Sequence, residues 1–132
     1  MPIRDVTPDD ASAVCAVLRA SISQLCVADH GNDPAILARW LENKTPENVA
    51  VWTQDACHSL LVAIEGNRIV AVGSVRDSGE ITMNYVAPPA RFHGASKFLL
   101  TALEMRAAER GNVRCSLLST AAAHRFYLSR DW

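Results

Sequence analysis

The 132-residue chain has little of what marks a polyanion-binding, crosslinked or membrane-spanning protein. Thirteen basic against fourteen acidic side chains leave a formal charge of -1, too balanced for the basic footprint of non-specific nucleic-acid binding. No apolar run approaches the roughly 20 residues of a membrane span, so neither nucleic acid nor membrane is expected as a partner. The start, Met1-Pro2-Ile3-Arg4-Asp5, lacks the cationic head and apolar stretch of a signal peptide, which points to a cytoplasmic protein. Cysteines are few and scattered: Cys15, Cys26, Cys57 and Cys115 form no C-x-x-C pair and read as buried free thiols, not as a disulfide framework or zinc site. His30, His58 and His124 show no spacing with acids or cysteines that defines a metal site or a nucleophilic triad. They are read as surface or core residues, and no metal is expected.

What is present is a hydrophobic share of 49%, enough for one core of ordinary size and hence a single domain over residues 1–132. Thr7-Pro8-Asp9-Asp10 combines a capping hydroxyl, a proline tolerated at a first helical position and acids that suit the helix dipole. Ala11, Val14, Cys15, Leu18, Ile22 and Leu25 then recur at helical spacing. Asp33-Pro34 repeats the start signal ahead of Ile36, Leu37, Trp40 and Leu41, giving a second early helix. After Thr45-Pro46, short β-branched runs predict strands over residues 49–53, 59–64, 69–76 and 80–86. Gly66-Asn67 and Asp77-Ser78-Gly79 are turns, so the last three should form an antiparallel meander. Residues 94–110 carry no breaker, place Ser96, Leu99, Leu100, Leu103 and Ala107 on one face, and end at Gly111-Asn112. A strand over 113–118 and a short helix over 120–129 complete the chain. The fold class is therefore α/β, an α+β mixed sheet in which the strand at 113 runs parallel to that at Glu80.

The segment from Ala87 to Lys97 holds the clearest chemistry. Unpaired amides at a helix start bind anions, and the small residues Gly94, Ala95 and Ser96 allow a diphosphate to approach the backbone. Arg91 and Lys97 add charge, and the amides of Phe92 and His93 lie in the same loop. On these residues the chain resembles the Gcn5-related N-acetyltransferase (GNAT) family, whose signature is Arg or Gln, two residues, Gly, one residue, then Gly or Ala. Arg91, Gly94 and Ser96 occupy those positions, with serine as a small departure in the third. Asn84-Tyr85-Val86-Ala87-Pro88 resembles the family's splayed central strand, and Ser119, Ala123 and Phe126-Tyr127 its later motif.

The resemblance implies acetyl-CoA as acyl donor, held by Asn84, Tyr85, Val86, Arg91, Phe92, His93, Gly94, Ala95, Ser96, Lys97 and Ser119. It implies transfer to a primary amine of a small molecule or protein by direct attack. Tyr127 stands at the position of the acid that protonates the departing thiolate, and Glu80 where some relatives carry the base. Arg39 and Trp40 fall in the part that supplies the acceptor pocket. The family also implies two more strands after the aromatic pair, apparently missing here, and a homodimer would cover the edge this leaves. An opposing expectation is a non-catalytic module that binds acyl-CoA or a partner.

Overall fold

A computed structural model of the chain describes residues 1–26, 31–91, 93–112 and 115–117. The opening signal acts as expected. Pro8–Asp10 form a 3-10 turn that runs directly into α1, Ala11–Leu25. The Asp10 carboxylate accepts the Thr7 amide at 2.8 Å and the Thr7 hydroxyl at 3.1 Å. Val14, Cys15, Leu18 and Ile22 are buried along one stripe of α1. Asp33 caps α2, Pro34–Leu41, by accepting from the Ala35 and Ile36 amides. No residue of α2 is fully buried, so this helix rides at the rim.

The strand expected over 49–53 is a helix instead, α3, spanning Pro46–Trp52. Thr45 Oγ1 accepts the Asn48 amide at 3.2 Å, and Pro46 follows it at the first helical position. That local cap outweighs the modest strand preference of Val49, Val51 and Trp52. The helix buries Val49 against α1 and leaves Val51 67% exposed, the one-sided pattern of an amphipathic turn.

The sheet has the order β1-β2-β3-β4-β5, formed by Ile3–Asp5, His58–Glu65, Arg68–Arg76, Glu80–Val86 and Ser116–Leu117. β1, too short for a period-2 signal in the sequence, pairs antiparallel with β2. β2, β3 and β4 form the meander, and β5 pairs parallel with β4 as expected. α1 packs with Val62, Val72, Met83 and Tyr85 on one face. On the other face α4, Ala95–Glu109, packs Leu99, Leu100, Leu103 and Ala107 on Leu61, Ala71, Val75 and Ile81. The end of α4 is fixed by Gly111, at φ 88°, whose amide donates to the Ala108 carbonyl while that of Asn112 donates to Ala107. The segment expected as a helix over 120–129 lies outside the described residues. The expectation of buried thiols needs correction: Cys15 and Cys26 are buried, Cys115 is partly so, and Cys57 is exposed in the turn ahead of β2.

Gly73 on β3 sits beneath α4. A methyl group there would lie 2.7 Å from Leu103 Cδ1 and 3.1 Å from Leu99 Cγ, in a fully buried part of the core. Gly73→Ala should therefore cost about 1 to 3 kcal/mol of stability through overpacking. Urea denaturation should show a lower midpoint with unchanged slope.

Two ion pairs tie the N-terminus down. Arg4 holds Asp10 through both guanidinium nitrogens at 2.7 and 2.9 Å, and Arg106 on α4 holds Asp5 at 2.9 and 3.1 Å. The hydrogen bond from Arg4 holds the Asp10 carboxyl far below the usual carboxylate range, and that from Arg106 lowers Asp5. A depressed carboxylate stabilises the fold above its unfolded pKa of about 3.9 and loses that contribution as pH falls through the folded value. Asp10→Asn should thus lower the melting temperature at pH 7, and the gap to the parent should narrow below about pH 4.

Candidate functional site

The site region begins where β4 departs from regular pairing. Ser74 is opposite Met83 and Val75 is opposite Ile81, so Thr82 is a surplus residue, a bulge in β4. β5 pairs only with Glu80 and Ile81. Among the described residues, β4 from Thr82 to Val86 has no partner on that side. The side chains of this free-edged segment divide by strand alternation: Met83 and Tyr85 face α1, while Asn84 and Val86 share the α4 face. Asn84 Oδ1 is buried and accepts no hydrogen bond among the described residues.

Beyond β4 the chain makes a 3-10 turn, Pro88–Ala90, and enters α4 through Gly94 at φ 86°, a left-handed conformation that suits glycine. The first intrahelical bond runs from the Phe98 amide to the Gly94 carbonyl at 3.1 Å. The amides of Ala95, Ser96 and Lys97 precede it and have no acceptor within the helix. The His93 amide, by contrast, is taken by the Ala90 carbonyl at 3.1 Å, and its ring Nδ1 is 3.4 Å from Glu65. Arg91 and Lys97 are both exposed. Phe92 is outside the described residues, as are Ser119 and Tyr127.

On the α1 face lies a pocket of about 460 Å³ lined by Ile22 of α1, Arg39 and Trp40 of α2, the turn residues Glu42, Asn43 and Lys44, and Tyr85 of β4. Its wall is pinned from behind. Arg19 Nη1 donates to the Leu41 and Lys44 carbonyls at 3.0 and 3.1 Å, and the Cys15 thiol donates to Lys44 O at 3.0 Å. Asn48 Nδ2 donates to Asn43 O at 3.0 Å. Burial raises the Cys15 thiol and lowers the Lys44 ammonium.

Sequence reasoning missed a polar chain at the closed end of the split. His58 Nε2 is 3.2 Å from Thr82 Oγ1, which bonds the fully buried Ser74 hydroxyl, and His58 Nδ1 is 3.5 Å from Asp55. The Asp55 to His58 spacing of three residues was visible in the sequence; its meeting with β3 and β4 was not. Glu80 opens β4 on the same side of the bulge, half-exposed and 3.7 Å from Arg76 Nε. The structure thus gathers Asn84, Tyr85, Val86 and residues 94–97 along one strand and the helix that follows. Glu80 stands at the other end of β4, and Arg39 and Trp40 across the sheet from α4. Among the described residues no group of three or more metal-ligating side chains occurs, and no helix is long and apolar enough to cross a membrane.

Residues 21–132 match the acetyltransferase (GNAT) domain, and the chain belongs to that family. Its fold is shared with the solved structure of a GCN5-related N-acetyltransferase, also titled an aminotransferase of class II, from Rhodopseudomonas palustris. That protein is 25% identical, with a TM-score of 0.86 over 98% of this chain and 79% of the other. A PaiA N-acetyltransferase from Thermoplasma acidophilum, solved in complex with coenzyme A, gives a TM-score of 0.86 at 16% identity over 98% and 87% of the two chains. A predicted acetyltransferase with acetyl-CoA from Clostridium acetobutylicum gives 0.66 at 20% identity over 99% and 88%. No curated protein sequence matches the chain.

An orphaned buried carbonyl oxygen costs about 1 to 3 kcal/mol. Asn84→Leu, similar in size and free of polar atoms, should therefore leave the ligand-free protein as stable or more stable. A clear drop in melting temperature would show that the amide is satisfied in solution.

Proposed function

We propose that the protein transfers an acetyl group from acetyl-CoA to a primary amine. The observation that carries this reading is β4 itself: one strand, unpaired beyond Ile81 on its β5 side among the described residues, presents Asn84 and Val86 to one face and Tyr85 to a pocket on the other. The residues present suit the donor. Asn84 Oδ1 lacks a hydrogen-bond donor, which an amide N–H of the pantetheine arm would supply. The amides of Ala95, Ser96 and Lys97 suit a diphosphate, with Arg91 and Lys97 adding charge, and the family resemblance assigns Tyr85, Val86, Phe92, His93, Gly94 and Ser119 to the same donor.

When bound, acetyl-CoA supplies an acyl group activated as a thioester. Glu80, at the other end of β4, would take a proton from the incoming ammonium through bridging water, freeing the nitrogen lone pair to attack the carbonyl carbon. An amide on the free side of β4, between Asn84 and Val86, donates where negative charge develops on the carbonyl oxygen. As the carbon–sulfur bond breaks, the Tyr127 phenol would give its proton to the departing sulfur and take back the second proton that the attacking nitrogen loses in becoming an amide.

Calorimetry with acetyl-CoA and thiol release over an amine panel test this together. Gly94→Glu places bulk and negative charge at the helix start, at a backbone conformation strained for any side chain, and should abolish acetyl-CoA binding in a protein that remains folded. Tyr127→Phe and Glu80→Gln should each lower kcat by about 10²- to 10⁴-fold with little change in the Kd of acetyl-CoA. Binding without turnover of any amine by the parent protein would favour the non-catalytic module.

A further inference from the structure

Resting on the acetyltransfer reading, we infer that the pocket between α1, α2 and β4 takes an amine that also carries an anionic group, a carboxylate or a phosphate. The pocket volume, about 460 Å³, is that of a small-molecule site. Three charged side chains line it, Arg39, Glu42 and Lys44, and among the described residues none of them has an ion-pair partner. Opposite charges that share a pocket without joining are placed to meet opposite ends of one zwitterionic ligand, the ammonium towards Glu42 and the anion towards Arg39 and Lys44.

The cationic side dominates. Lys44 is half-buried, and among the described residues its ammonium donates to the neutral Asn43 Oδ1 at 2.7 Å and meets no carboxylate that would offset the cost of desolvation. Three backbone oxygens of the turn after α2 are already engaged: Leu41 O and Lys44 O accept from Arg19, and Asn43 O accepts from Asn48. A diamine would therefore set its second ammonium against two cations with one carboxylate to share. Trp40 and Tyr85 also line the pocket and supply apolar wall, which suits a short carbon spacer.

The test uses the full chain, saturated with coenzyme A so that binding is read without turnover. Calorimetry compares 5-aminopentanoate, aminoethyl phosphate, pentylamine and 1,5-diaminopentane. At least one anionic amine should bind about tenfold or more tighter than pentylamine and the diamine, as expected of a charge-assisted hydrogen bond, and the two anionic probes decide between carboxylate and phosphate. Arg39→Gln and Lys44→Gln should each weaken that anionic amine by about 10- to 100-fold, at least tenfold more than they weaken pentylamine. Arg39→Lys should restore part of the loss. Equal or tighter binding of the diamine or pentylamine, no binding of any probe, or an unchanged anionic affinity in both glutamine variants overturns the proposal. Parallel assays with acetyl-CoA separate the two readings. Selective binding of the anionic amine without acetyl transfer upholds the pocket and sinks the acetyltransfer. Transfer to pentylamine or the diamine in preference to the anionic amines does the reverse.

Discussion

The depth at which α4 rides over β3 governs the rest of the architecture. Leu99 and Leu103 descend onto Gly73, where a side chain would have no room, and this close approach seats the helix against the sheet. Because α4 begins a few residues after β4 ends, its seating also decides where the free amides of Ala95 to Lys97 stand relative to the strand that borders them. A larger residue at 73 would press on Leu103 and Leu99, and through them on the helix whose start borders β4. Packing in the core and geometry at the site are thus one constraint.

Much of this was legible in the sequence, and the reason is that the legible parts are local. Thr7-Pro8 and Asp33-Pro34 announced helices because the capping side chain and the proline act within one turn. The meander was readable from glycine turns, and the parallel fifth strand from the order of elements. Thr45-Pro46 carried the same helix signal and was overridden by the β-branched residues that follow, a case where capping chemistry should have prevailed over propensity. The bulge at Thr82 left no trace in the sequence because it is a property of register between two strands. The orphaned Asn84 oxygen and the polar chain through His58, Thr82 and Ser74 were hidden for the same reason.

The pocket shows how far local reading reaches. Arg39 and Trp40 were expected near an acceptor from family resemblance alone, while Lys44 and Glu42, in the turn after α2, gave no signal. Their position depends on Arg19 and Cys15 of α1 drawing the turn inward by its carbonyls. A thiol and a guanidinium from a neighbouring helix therefore shape a wall they do not line.

The bulge at Thr82 has a counterpart in β3, where Ala63 faces Ala71 and Ile64 faces Ile69, leaving Val70 surplus. Each surplus residue shortens a strand's reach by roughly 3.3 Å and increases its local twist. With one in each of two adjacent strands, the local twist of β3 and β4 is written into residue counts along the backbone.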